Sequence, residues 1–367
     1  MSRKVKYGII GTGAIARMHA QALAGVEQAE LFMVYDTVVE RAKAFAEQHN
    51  CRYAGSLEEL LQSEVEAVTI ATPSGLHGQC AIPAAKAGKH ILCEKPLEVT
   101  VSKTNDLIRT CESNNVRLSA VFQSRFCEAV KTIRQAVDEG RFGQHVLGSA
   151  SVRWYRTPEY YANAGWRGTW ELDGGGALMN QGIHTVDLLL YFNGDPREVT
   201  GRFTRVMHKG IEVEDTVVAM IQFKNGSLGT IEASTACAPG FPRRVELSGT
   251  TGSVTLEGDR IVRWEFQDER PEDKTIREQG IAAASEPRSS GARDPMGISS
   301  EGHRRQLQEL TEAILGGHCL TAPGSEGKRA VELICAVYES ARSGTSINFL
   351  CSGDSGRNDG ETQDHRL

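Results

Sequence analysis

The 367-residue chain carries a net charge of −6, with 40% hydrophobic and 24% charged residues, the make-up of a globular protein long enough for two domains. Its acidic balance argues against nucleic acid as a partner, because phosphate binding asks for a basic face. No apolar run approaches the roughly 20 residues of a membrane helix, so no membrane partner is expected, and Met1 leads straight into a strand with no secretory leader, which points to the cytoplasm.

In chain order, short apolar runs at 5–10, 31–35, 67–71, 90–93 and 118–122 predict buried strands, with a weaker one at 52–54. Helical periodicity separates them. Ile15, Met18, Ala22 and Leu23 share an apolar face that Gly25 ends, Ser56 to Glu59 reads as a capping box, and Gly88 stops a helix over 81–87. This alternation predicts an α/β fold whose first domain, 1–124, is a doubly wound parallel sheet of Rossmann type.

The first turn of that sheet carries a dinucleotide signature. Gly11-Thr12-Gly13-Ala14-Ile15-Ala16 follows the first strand and opens the first helix. Gly11 permits the tight turn, Gly13 lets the backbone approach a pyrophosphate, and the N–H groups opening the helix at Ala14 and Ile15 receive the phosphates. Asp36, placed 20 residues after Ala16 at the end of the second strand, suits the ribose hydroxyls and repels a 2′-phosphate, favouring NAD over NADP. A plain helix N-cap is the competing role for Asp36, and Arg41 is the residue that could accommodate a phosphate. Thr72 and Pro73 end the next core strand and should face the nicotinamide half, with His77 beyond them either a helix-entry residue or a cofactor contact.

After about residue 125 the rhythm changes. A helix over 130–139 precedes runs of period two at 146–154, 199–206, 216–223, 227–234, 245–249, 253–256 and 261–266. They predict a second α+β domain, 125–350, built on an open, mostly antiparallel sheet, with Asn225-Gly226 as a hairpin turn. One helix over 177–192 interrupts the strands, 268–300 reads as a long polar loop, two helices over 303–315 and 325–342 close the fold, and 351–367 reads as a disordered tail. Nine cysteines at 51, 80, 93, 111, 127, 237, 319, 335 and 351 form no Cys-x-x-Cys pair. Reduced thiols are expected, with neither a disulfide framework nor a metal site.

Two groups point to chemistry. Lys95, in Glu94-Lys95-Pro96, follows the 90–93 strand at its carboxyl end and therefore lies with Glu94 over the cofactor. It can hydrogen-bond a substrate hydroxyl and stabilise a developing alkoxide, and burial beside a cationic ring would depress its pKa enough to relay a proton. His184 follows Gly174-Gly175-Gly176, with Asn180, His184 and Asp187 on one helix face and Gln181 beside Asn180. Histidine is the natural base for the hydroxyl proton as hydride leaves the same carbon, and Asp187 either orients it or pairs elsewhere. Tyr155, Arg156, Tyr160, Tyr161, Trp166, Arg167 and Trp170 crowd one loop-like stretch that suits a sugar face and an anionic group, or a subunit contact. Arg125 at the domain boundary either faces the cleft or makes a hinge salt bridge.

Taken together, Gly-x-Gly-x-x-Ala, Glu-Lys-Pro and the Gly-Gly-Gly-Ala…Gly-Ile-His-x-x-Asp-Leu-Leu segment resemble the glucose–fructose oxidoreductase / inositol dehydrogenase / MocA-like family over residues 4 to about 349. The resemblance implies hydride transfer to or from a cyclic polyol or sugar, and an open sheet that packs to form a dimer or tetramer. Many members carry aspartate where this chain has Asn180. Asn-Gln-x-Ile-His, with the upstream aromatic stretch, looks more like the branch that oxidises C3 of sugar nucleotides. The expectation is an NAD-dependent dehydrogenase with Lys95 and His184 as catalytic groups and Arg125, Tyr155, Tyr161, Trp166, Arg167, Asn180 and Gln181 around the sugar. An inositol, free-sugar or glycoside dehydrogenase and an idle NAD-binding regulator remain the alternatives.

Overall fold

The structure, a computed structural model, describes residues 3–163, 165–284 and 299–349. The first sheet joins β1 (Val5–Ile10), β2 (Ala29–Tyr35), β3 (Arg52–Tyr53), β4 (Ala67–Ile70), β5 (His90–Cys93) and β6 (Leu118–Ala120). Every pairing is parallel, in the order β3-β2-β1-β4-β5-β6. β4 is buried along its whole length, as expected of a strand covered by helices on both faces. The order reverses between β1 and β4, which opens a crevice at their carboxyl ends. The capping box forms, with Ser56 Oγ accepting from Glu59 N–H at 3.1 Å, although the Glu59 carboxylate returns to Gly55 N–H rather than to that of Ser56.

The second sheet holds β7 (His145–Arg153), β8 (Pro196–Thr204), β9 (Thr216–Phe223), β10 (Leu228–Ser234), β11 (Arg244–Gly249), β12 (Gly252–Glu257), β13 (Arg260–Phe266) and β14 (Ile347–Asn348). Their order is β13-β12-β11-β7-β10-β9-β8-β14, antiparallel everywhere except between β7 and β10. Ala150, Val152, Val217, Ile221 and Phe223 point into a core shared with Val186 and Leu189 of helix Ile183–Asn193 and Leu333 and Val337 of helix Gly324–Ser343. The alternate residues Leu147, Val218, Met220 and Leu228 are all more than half exposed, so this sheet is covered on one face only.

Three features differ from the sequence expectation. The 268–300 segment is not a loop throughout: Pro271–Ala284 is a helix, and residues 285–298 lie outside those described, as does the expected disordered tail at 351–367. The helix is held by Asp273, which is buried and accepts from Arg141 and from the Trp264 indole at 2.6 Å. Second, the helix over 177–192 is composite, with a π-helical turn, Ala177–Gly182, feeding α-helix Ile183–Asn193. Third, helix Glu301–Gly316 crosses the expected boundary at 124/125. It packs Leu307 and Leu310 against Val5, Tyr7 and Ile9, and Tyr7 and Thr311 share a hydrogen bond of 2.8 Å. Among the described cysteines none is disulfide-bonded, and no described helix is long and apolar enough to cross a membrane.

Candidate active site

A cleft of about 710 Å³ lies at the carboxyl ends of β1, β4 and β5 and is lined from both halves of the chain. Its first part is built by the glycine-rich turn. Gly11 has φ +90°, and a Cβ there would stand 2.8 Å from the carbonyl oxygen of Ala71, so only glycine fits. A Cβ on Gly13 would meet nothing within 4 Å and would occupy open space. Helix Ala14–Ala24 has no side-chain cap at its N-terminus. Its first N–H groups therefore lack partners beside an open cradle, which suits a pyrophosphate.

Asp36 follows the end of β2 and lines the same cleft. Its carboxylate accepts from Thr12 N–H, Thr12 Oγ1 and Val38 N–H, each at 2.9 Å, so it also braces the glycine turn. It does not cap helix Val39–His49, whose N-cap is Val38. Arg41, Thr72 and Pro73 line the same part of the cleft. His77 does too, but its ring lies between the backbone carbonyls of Pro96 and Thr72, 2.7 and 3.0 Å from its two nitrogens, and the neutral imidazole favoured by burial donates to one of them. That pairing makes His77 a brace between two strand ends.

Lys95 reaches across the cleft to the second half of the chain, its Nζ donating to the carbonyl oxygen of Asn180 at 2.7 Å. Burial lowers its pKa from the usual lysine value, opposed by the negative charges of Glu94 and Asp173. Glu94 is buried between two histidines that sequence reading missed. His19 Nε2 is 2.8 Å and His303 Nε2 3.8 Å from the same carboxylate oxygen. Those histidines hold its pKa well below the usual range despite burial. The three groups are the one His/Glu set among the described residues with ligand atoms close enough for a metal, and within it the His19 ring already shares a hydrogen bond with the Glu94 oxygen on which they converge. The other Glu94 oxygen accepts from Lys95 N–H at 3.2 Å, which ties the lysine backbone to this cluster.

His184 enters from the opposite wall, on the turn that follows Gly174–Gly176. Buried Glu214 holds that turn by accepting from Gly176 N–H at 2.9 Å and Leu178 N–H at 2.8 Å, and Tyr338 donates to it at 2.9 Å. Drawing these N–H groups to a side chain is consistent with the wider π-helical turn, a feature common at functional sites. His184 is half-buried, and burial together with the nearby Lys95 charge holds its pKa well below 6.5, so the imidazole is neutral at pH 7. Its Nδ1 is buried without a partner. Asp187 does not orient it, because that carboxylate is taken by Arg125.

The remaining wall is polar and aromatic. Trp154, Arg156, Tyr160, Asn163, Trp166, Arg167, Asn180 and Gln181 line it. Arg167 lies 4.2 Å from the Tyr160 ring and Arg156 5.0 Å from Trp154. Trp154 Nε1 and Arg167 Nε, like His184 Nδ1, are buried without partners. Orphaned polar atoms are rare in native structures, and a ligand in this cavity would satisfy these three. Three expected substrate residues lie elsewhere. Arg125 is buried in ion pairs with Asp187 and Glu326. Tyr161 turns inward to share a hydrogen bond with Thr235 at 2.9 Å. Tyr155 forms a bridge with Ala236. A shallower groove of about 600 Å³ beside Arg125 is lined by arginines that already hold carboxylates.

Comparison with known proteins agrees with this geometry. Residues 5–122 match the model of an oxidoreductase family with an NAD-binding Rossmann fold, and residues 130–255 that of the GFO/IDH/MocA C-terminal domain. The WlbA dehydrogenase from Bordetella pertussis, solved with NADH and UDP-GlcNAcA, is 31% identical, with a TM-score of 0.85 over 95% of this chain and 100% of that one. D-glucoside 3-dehydrogenase from Escherichia coli is 25% identical over 95% of this chain and 98% of its own length. Inositol 2-dehydrogenase from Rhizobium meliloti is 28% identical over 71% and 78%. The parallel sheet, the uncapped glycine turn and these likenesses together mean that the chain belongs to the Gfo/Idh/MocA family and is an NAD-binding, sugar-type oxidoreductase acting on CH–OH groups.

Proposed function

We propose that the protein oxidises a secondary hydroxyl, at C3, of a sugar nucleotide or related hexose derivative to a ketone. The observation that carries this reading is the convergence of Lys95 and neutral His184, from different halves of the chain, on one cleft with Arg156, Arg167 and Trp166. Bound NAD supplies the hydride acceptor. His184 takes the hydroxyl proton. Lys95 donates a hydrogen bond to the same oxygen and stabilises its developing negative charge. The arginines and aromatic rings suit a sugar that carries carboxylate or phosphate groups. The likeness to a dehydrogenase solved with UDP-GlcNAcA supports an anionic, nucleotide-linked sugar over a free polyol.

The test is NADH absorbance during turnover with UDP-linked hexosamines and hexuronates, simple glycosides, free glucose and myo-inositol. The reading expects signal with the nucleotide-linked sugars. Signal with glycosides or myo-inositol alone would move the substrate to those classes, and silence across the panel with NAD bound would favour an idle regulator. Asp36→Ser is expected to narrow the preference for NAD over NADP. An unchanged ratio of kcat/KM for the two cofactors would remove Asp36 from the ribose site.

The bare face of the second sheet belongs to the same reading. Leu147, Val218, Met220 and Leu228 form a patch on an eight-stranded sheet, and its occupant is a second copy of this chain. An exposed apolar patch rimmed by polar residues such as Gln222, Thr230 and Glu246 is the surface an isologous contact would cover. Met220→Glu with Val218→Glu is expected to yield a monomer by light scattering, and an unchanged mass would place the contact elsewhere.

A further inference from the structure

Asn180 sits at the middle of a directed chain of hydrogen bonds. Arg156 donates to Gln181 Oε1 at 2.7 Å, Gln181 Nε2 donates to Asn180 Oδ1 at 2.6 Å, and Asn180 Nδ2 donates to Asp173 Oδ1. A cation at one end and a carboxylate at the other fix the orientation of both amides, since neither can flip without facing donor to donor or acceptor to acceptor. Both ends are buried, Arg156 at 3% and Asp173 at 1% exposure. The other Asp173 oxygen accepts from Gly168 N–H at 2.9 Å, so the same carboxylate grips the loop that brings Trp166 and Arg167 to the cleft. Lys95 Nζ rests on the backbone carbonyl of Asn180.

The charges facing Lys95 come from several elements. Glu94 neighbours it in sequence but is shared with His19 and His303. Arg156 and Arg167 come from the aromatic loop and His184 from the opposite helix, and the arginines oppose a second cation. Asp173 is the second anion acting on the lysine, after Glu94.

We propose that Asp173 is a positioning residue of the reaction: through Asn180 it fixes the carbonyl that aims Lys95, it places a second negative charge, after Glu94, beside that lysine, and through Gly168 it seats the Trp166–Arg167 loop. This inference rests on the catalytic reading of Lys95 and His184.

The test exchanges the two side chains. Asp173→Asn removes the charge and can still accept from Asn180 Nδ2 through its amide oxygen, while its amide nitrogen then faces Gly168 N–H, so the counter-charge and the loop seat are both weakened. It is expected to lower kcat about 10²-fold, to leave the KM for NAD unchanged, and to move the alkaline limb of kcat/KM to lower pH, because a lysine that loses an anion deprotonates sooner. Asp173→Asn with Asn180→Asp returns one carboxylate to the pair and is expected to recover most of kcat and the limb. Wild-type kcat and an unmoved limb in Asp173→Asn would overturn the proposal. So would a double variant no better than the single one, which would mean that the site needs Asp173 for shape alone. Competitive acetylation of Lys95 across pH, read by mass spectrometry, requires no turnover. A lower midpoint in Asp173→Asn supports the counter-charge, and an unchanged midpoint rejects it even if no sugar in the panel is a substrate.

Discussion

Lys95→Ala and His184→Ala are each expected to abolish most turnover while leaving NAD binding within a few-fold of wild type. Neither side chain belongs to the glycine turn or to Asp36, so tryptophan-quenching titrations with NADH should give similar affinities for all three proteins. Turnover should behave differently. Loss of a preorganised donor to a developing oxyanion costs about 10²–10³-fold in kcat, and loss of a general base about 10²–10⁴-fold. The double variant should be little worse than the poorer single one, because the two groups serve one proton transfer and act as a unit. Near-wild-type rates in either single variant would remove that residue from the chemistry.

The pH profile follows from the same environment. Burial and the Lys95 charge hold His184 well below 6.5. A base must be unprotonated to act, so the acid limb of kcat/KM should lie below the ordinary histidine range. Lys95 is depressed from 10.5 by burial. Its charged form is the useful donor, so activity should fall as pH rises through that lowered value. His184→Ala should lose the acid limb while the alkaline limb persists in the residual rate.

Much of this site was legible in the sequence because its signals are local. A glycine turn between a strand and a helix, an acidic residue at the end of the next strand, and a lysine after a buried strand each report a backbone position, and the parallel topology then places all three at one edge. The antiparallel sheet was legible from its period of two. Tertiary pairing was not. Asp187 is three residues from His184 on the same helix, yet its partner is Arg125, 62 residues earlier in the chain, and no spacing rule selects between them. Tyr161 lies beside Tyr160, but the side chains diverge, one into the core with Thr235 and one toward the cleft. Asp173 adjoins the triple glycine, and its partners, Gly168 and Asn180, are set by the fold rather than by a motif. Helix Pro271–Ala284 hid in a polar stretch because it is fastened by Asp273 and its ion pair rather than by a long apolar stripe.

The Arg125–Asp187 pair carries the second large expectation, this time on stability. Arg125 Nε and the Nη2 atom donate to the two Asp187 oxygens at 2.9 and 2.6 Å, Nη2 also reaches Glu326 at 2.9 Å, and Nη1 reaches the carbonyl of Thr321 at 3.0 Å. Both partner side chains are at most 2% exposed. Burial pushes the Asp187 carboxyl up, and the guanidinium opposes that shift. The pair joins the segment after β6 to helices Ile183–Asn193 and Gly324–Ser343, so it spans the junction on which the cleft depends. Removing Asp187 leaves the buried guanidinium with only the part-exposed Glu326 carboxylate and the Thr321 carbonyl. Asp187→Ala should therefore cost up to about 3–5 kcal/mol, read as a lower urea midpoint at unchanged slope. Arg125→Met should cost less, because it leaves a carboxylate that can take up a proton and become neutral. Arg125→Met with Asp187→Leu leaves no stranded charge in the pair, although Glu326 must find another partner in Arg329, which already donates to it at 2.8 Å. The double variant should then be more stable than Asp187→Ala. Equal midpoints for the two would mean that packing, rather than an uncompensated charge, sets the cost.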